Sequence, residues 1–253
     1  MRFALLGSGS RGNGMVIEVG RSLVLLDCGF SVSQVKMRLA NLGKRPEDLT
    51  AVVVTHEHSD HVSGVAALAR NFDLEVWATA GTAQAAGLNE SGGCRLFDCH
   101  APFAIDEVEA MPFPVPHDAR EPSQFVFGNG ARRLGVLTDV GSLTPHIAEC
   151  LDGCDALVLE CNHDPALLAA GDYPPSLKQR VGGRHGHLSN GQAADLLGRL
   201  DGTRLQHVVA AHLSEKNNRP QLAQQALAGA LGCEMEWIAV ADQDAGLGWR
   251  EVF

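Results

Sequence analysis

Short apolar runs alternate with polar breaks along the chain, and their spacing predicts two kinds of element. Apolar runs at 3–6, 15–19, 23–26 and 51–54, the second and fourth of them rich in β-branched residues and each bounded by Gly, Asp or His, predict buried strands. Further strands are expected at 75–77, 108–113, 125–127, 134–137, 156–159, 208–211 and 235–238. Val32, Val35, Leu39 and Leu42 recur at spacings of three and four before Gly43, which predicts a helix with a glycine stop. Helices are also expected at 62–69, 145–151, 165–170, 190–200 and 219–230. Strands early and in the middle, with helices in both halves, suit stacked sheets flanked by helices. No repeat, low-complexity tract or Pro/Ser linker divides the 253 residues, so a single domain over 1–253 is expected.

The ends of these strands carry the chemistry. Strand 51–54 runs into Thr55-His56-Glu57-His58-Ser59-Asp60-His61. In extended backbone alternate side chains share a side, so His56 and His58 can reach one ion. A helix capped near Ser59 puts Asp60 and His61 in its first turn, facing a neighbouring ion. Imidazole mixed with carboxylate suits zinc, manganese or iron. The bland alternative, a polar loop holding three histidines by chance, is weak against His-x-His-x-Asp-His spacing directly after a buried strand. His117, Asp139 and His212 each stand where another apolar run opens into a loop. Any one of them alone reads as well as a cap or a core polar residue, but beside the first motif they complete two metal positions.

Charge and cysteine usage narrow the class. A formal charge of −10 argues against coating a phosphate backbone by charge alone. It leaves a phosphate substrate open, because bound divalent ions add positive charge where the substrate docks. The seven cysteines are odd in number and contain no Cys-x-x-Cys pair, which suits core thiols in a reducing compartment. No apolar stretch is long enough to span a bilayer, and the first residues lack the ordered regions of a signal peptide. A cytoplasmic protein without membrane partners is expected.

Asp27 in Leu26-Asp27-Cys28-Gly29, the 56–61 motif, His117, Asp139 and His212 together resemble the metallo-β-lactamase superfamily over nearly the whole chain. The resemblance implies an α+β fold, a four-layer αββα sandwich, as a single domain without an inserted second domain. It also implies two divalent metal ions. His56, His58 and His117 would hold one, Asp60, His61 and His212 the other, Asp139 would bridge them, and Asp27 would orient the ligands from behind. The expected chemistry is hydrolysis by a hydroxide shared between the ions, with Asp60 and Asp139 as catalytic carboxylates.

Five local sequences resemble the YycJ/WalJ/VicX-like group of that superfamily. They are the Gly7-to-Gly14 glycine/serine loop, Glu160-Cys161-Asn162-His163-Asp164, the stretch from Tyr173 to Arg180, Gly186-His187-Leu188-Ser189-Asn190, and the stretch from His212 to Asn218. The resemblance implies a nuclease, notably a DNA exonuclease, in which His187, Ser189 and Asn190 meet the substrate phosphate and His163 lies near the metals. His187 can donate a proton to the leaving oxygen, and Lys178, Arg180 and Lys216 can neutralise phosphate oxygens. Ser189 or Asn190 can equally cap the following helix, His163 can be a core histidine, and Lys178 and Arg180 a solvated face. The Gly-x-Gly-x-x-Gly at Gly7, Gly9 and Gly12 precedes a strand and no Lys follows, so a nucleotide loop is not expected. Nucleic acid, DNA foremost, is the expected partner, and a homo-oligomer is compatible with binding through the core fold alone. The alternatives are hydrolysis of RNA or of a small or cyclic phosphodiester, and a non-catalytic metal-binding module of a signalling pathway.

Overall fold

Most of the apolar runs do form strands. In the computed structural model of the chain, which describes residues 1–88 and 93–253, fourteen strands occur among the described residues. They are β1 (Arg2–Gly7), β2 (Gly14–Val19), β3 (Ser22–Leu26), β4 (Ala51–Val53), β5 (Glu75–Ala78), β6 (Cys94–Leu96), β7 (Phe103–Ile105), β8 (Val108–Pro114), β9 (Ser123–Gly128), β10 (Arg133–Leu137), β11 (Ala156–Glu160), β12 (His207–Ala211), β13 (Ile238–Val240) and β14 (Leu247–Glu251). The chain divides into two units. The first comprises Met1–Pro114, Ala119–Arg132 and Asp242–Phe253, the second Val115–Asp118 and Arg133–Ala241.

In the first unit a sheet runs in the order β14-β1-β2-β3-β4-β5-β6. β1 to β3 pair antiparallel, whereas β3, β4, β5 and β6 pair parallel. Helices Val32–Asn41 and Val65–Phe72 bury Val35, Leu39, Val65 and Leu68 in one core with Leu25, Val52 and Val76. Burial on both faces is why β3 and β4 read as unbroken apolar runs. The register pairs Leu26 with Val53, so the carboxyl ends of these two parallel strands, and the residues that follow them, lie side by side. Strands β7, β8 and β9 of this unit form an antiparallel meander.

The second unit contains β10, β11, β12 and β13, all parallel. Leu137 is level with Leu159, and Glu160 with Ala211, so the residues that close these strands gather at one end. Ligands in parallel sheets bind outside the carboxyl ends of the strands, where the chain must leave the ladder. Three of these exits are sharp: Asp27, Asp139 and His212 take left-handed backbone, with φ of 59°, 52° and 54°. Asp and His are among the few residue types found there, and such conformations cluster at functional sites.

Some expectations need correction. The strand expected at 235–238 is a 3₁₀ turn, Met235–Trp237, and β13 starts only at Ile238, the first residue with a ladder partner, Val208. The single helix expected at 62–69 is two, Ser59–Val62 and Val65–Phe72, divided at Gly64, where a Cβ would meet the Phe30 carbonyl at 1.9 Å. His58, not Ser59, occupies the cap position of the first of these. The short β6, β7 and β14 and the helices Ala80–Ala85 and Pro175–Val181 were not expected. Among the described residues no helix is long and apolar enough to cross a membrane.

Candidate functional site

In the first unit the sharp exit after β3 presents Asp27 to the segment that leaves β4. The Asp27 carboxylate accepts from Thr55 N (2.8 Å), Thr55 Oγ1 (2.9 Å) and His61 Nδ1 (2.8 Å). Because the Thr55 hydroxyl has given its proton to Asp27, its oxygen accepts from His56 Nδ1 at 2.9 Å. One buried carboxylate therefore sets the tautomer of both histidines and leaves Nε2 as the atom with the lone pair. His56 packs against His58 and His61, with ring centroids 4.7 Å and 4.2 Å away. Asp60, in the first turn of helix Ser59–Val62, brings Oδ2 within 3.6 Å of His61 Nε2.

The second unit repeats this construction around Glu160, the last residue of β11. Its buried carboxylate accepts from Val140 N (3.1 Å), Leu188 N (2.9 Å), His187 Nδ1 (2.8 Å) and His212 Nδ1 (2.9 Å). Burial by itself raises the Glu160 pKa, but the charge on His187 and the hydrogen bonds from both histidines hold it down at about 2. Burial likewise pulls His187 down, and the adjoining Glu160 and Asp139 carboxylates outweigh that and raise its pKa. Asp139 Oδ1 lies 3.3 Å from His212 Nδ1 and 3.6 Å from His187 Nδ1. His117 donates Nδ1 to the Gly186 carbonyl at 3.1 Å, which again leaves Nε2 as the lone-pair nitrogen, 4.0 Å from Asp139 Oδ1. Asp139, Glu160, His187 and His212 offer ligand atoms within 4.8 Å of one another.

This donor set fits divalent metal. Imidazoles held through Nδ1 by a carboxylate, a hydroxyl or a carbonyl, beside the carboxylates of Asp60 and Asp139, suit zinc, manganese or iron. The first unit thus gathers His56, His58, Asp60, His61 and Asp27, and the second gathers His117, Asp139, His187 and His212.

The other expected residues of the second unit are engaged differently. Ser189 caps helix Asn190–Leu197 in a capping box with Gln192, and Asn190 exchanges amide hydrogen bonds with Asn218 (2.9 and 2.8 Å). Lys178 Nζ donates to the Ala169 carbonyl at 2.6 Å, and Arg180 Nε donates to Asp118 at 2.6 Å, next to His117. Lys216 sits over the Tyr173 ring, 5.6 Å from its centroid. His163 is buried, its pKa lowered by that burial, and it is absent from the metal-capable groups among the described residues. Sequence reasoning missed Glu160, Thr55 and Asn13. The signal for Glu160 was the one that picked out Asp139 and His212, an acidic or imidazole side chain closing an apolar parallel strand.

Glu160→Ala is expected to cost about 3–5 kcal/mol, because it leaves a buried charged partner and two buried amides unsatisfied. Denaturant unfolding of the variant and wild type measures it, and a loss under about 1 kcal/mol would show that the four bonds carry little.

The comparisons agree with this construction. A sequence family described as the beta-lactamase superfamily domain matches residues 23–212. The chain is 33% identical over 236 residues to exodeoxyribonuclease WalJ of Streptococcus pneumoniae, covering 91% of this chain and 88% of that protein. It is 32% identical over 235 residues to exodeoxyribonuclease YycJ of Bacillus anthracis, covering 91% and 89%. Among solved structures, zinc-bound PqqB from Methylobacterium extorquens is similar with a TM-score of 0.75 at 17% identity, covering 99% of this chain and 100% of that one, a likeness of fold.

Proposed function

Since the chain belongs to the beta-lactamase superfamily and is a metal-dependent hydrolase of its nuclease and phosphodiesterase kind, we propose that it is a DNA exonuclease that works with two divalent ions. One observation carries the DNA part of this reading, the likeness across 91% of the chain to two proteins named exodeoxyribonuclease. The ions would be held by His56, His58, Asp60, His61, His117, Asp139 and His212. Zinc or manganese fits these donors, and iron is compatible with them. When bound, the metals supply Lewis-acid activation of water and of the phosphoryl oxygens.

The chain's own residues do the rest. Asp27 and Glu160 hold the imidazoles in one tautomer and one orientation, so little reorganisation is needed during reaction. Asp60 accepts a hydrogen bond from the attacking nucleophile and aims it. His187, whose proton affinity the Glu160 carboxylate raises through Nδ1, donates from Nε2 to the leaving oxygen. Lys216, exposed on the loop after His212, neutralises phosphate, while Arg180 first holds Asp118. His163, Ser189 and Asn190 act through the frame they build behind His187. The free state of all seven cysteines supports a reducing, cytoplasmic setting. The two units would act as one functional domain, alone or in a homo-oligomer.

Incubation with end-labelled DNA and manganese or zinc tests the proposal, with RNA, cyclic nucleotides and bis-(p-nitrophenyl) phosphate in parallel. Stepwise shortening of DNA from its ends, abolished by a chelator, is the expected result. Fast turnover of small or cyclic esters with inert DNA would replace it with the small-substrate alternative, and inertness towards all of them would favour the non-catalytic module.

A further inference from the structure

The Gly7-to-Gly14 loop runs into strand β2, and its contacts assign it work inside the first unit. Its last polar residue, Asn13, is built into the first unit's ligand cluster. Asn13 N donates to the Asp60 carbonyl at 2.7 Å, and Asn13 Nδ2 lies 3.3 Å from Asp60 Oδ2 and 3.0 Å from His61 Nε2. The amide cannot turn freely, because Gly9 N donates to Asn13 Oδ1 at 2.9 Å and Asn13 Nδ2 also reaches the Gly9 carbonyl at 3.1 Å. The packing leaves no slack: a Cβ on Gly12 would lie 2.8 Å from the Gly29 carbonyl, and one on Gly29 would lie 1.9 Å from the Asp60 carbonyl.

What holds this loop is a residue 230 positions further along. Gln243 is buried, and its amide accepts from Arg11 N and donates to the Gly12 carbonyl, both at 2.8 Å. The neighbouring Asp242 carbonyl accepts from Ser8 N at 3.2 Å, and Arg38, itself buried, donates to the Asp244 carbonyl at 2.7 Å. The turn before β14 is thereby fastened to both sides of the loop.

We propose that Gln243 is a positioning residue for the Asp60 and His61 ligands, acting through the glycine/serine loop and Asn13. The inference rests on the metal-binding reading above. A side-chain amide that satisfies one donor and one acceptor of a loop fixes its height over the ligand segment, and outer contacts of this kind typically change metal affinity 10- to 100-fold.

The test uses full-length protein loaded with cobalt(II), with visible absorption and chelator competition as readouts that need no substrate. Gln243→Ala and Asn13→Ala are each expected to weaken retention about tenfold and alter the cobalt spectrum. The double variant should be no worse than Asn13→Ala alone, because both act on one path. Gln243→Met, which keeps the length but makes no hydrogen bonds, serves if the alanine variant does not fold. Asp244→Asn, which removes the exposed ion pair to Arg11 and the 4.0 Å pair to Arg38 but keeps the backbone carbonyl that Arg38 donates to, should leave the spectrum unchanged. Wild-type retention and spectrum in the Gln243 variants, or purely additive losses in the double variant, overturn the inference alone. A wild-type chain that takes up no cobalt overturns the metal-binding reading as well.

Discussion

Asp139→Ala is expected to lower phosphodiester hydrolysis by about 10²–10³-fold, the scale seen when one preorganised electrostatic group is removed from an active site. The effect originates within the second unit. Asp139 Oδ1 lies within 4.0 Å of nitrogens on His117, His187 and His212, so one carboxylate interacts with three imidazoles. Alanine at a φ of 52° adds a backbone penalty that aspartate tolerates better. Asp139→Gly separates the two effects, since glycine adopts that conformation readily. Both variants should lose activity and bound metal together, with the glycine variant the more stable of the two in a thermal melt. Activity within tenfold of wild type in a folded Asp139→Gly protein would remove this residue from the chemistry.

The second large effect concerns His187 and depends on the substrate. General acid catalysis contributes about 10²–10⁴-fold when the leaving group needs a proton. The sugar hydroxyl expelled from DNA needs one, whereas p-nitrophenolate leaves without help. His187→Ala should therefore slow DNA digestion by about 10²–10⁴-fold and hydrolysis of bis-(p-nitrophenyl) phosphate by less than about tenfold. Steady-state rates on both substrates decide the matter. Equal losses would mean that His187 serves as a frame for Glu160 and His212 rather than as a proton donor.

Much of this site could be read without coordinates, for an identifiable reason. Except for His117, whose strand β8 alternates buried and exposed positions, each candidate ligand segment follows a strand buried on both faces, so its apolar run is plain and the polar residues just after it stand out. His56, Asp139 and His212 were picked out by standing at or just beyond the ends of such runs, and Asp27 by the family resemblance. Glu160 obeys the same rule, but it closes its strand as a buried carboxylate amid Cys161, Asn162 and His163, and sequence offers no means of knowing which of those neighbours it serves. Ser189, Asn190, Lys178 and Arg180 show the opposite limit. Their residue types suit phosphate, yet each is engaged by a cap, an amide pair, a carbonyl or a carboxylate.

From sequence alone come the strand and helix runs, the strand-end candidate ligands and the kind of metal they would suit, because periodicity, capping and residue spacing are local properties of the chain. Which carboxylate anchors which imidazole, that Asn13 reaches Asp60, and that Gln243 holds the loop between them were decided by the tertiary structure. Those contacts join residues from 34 to 231 positions apart, and hydrogen-bond geometry over such separations is set by packing of the intervening chain, which no local pattern encodes.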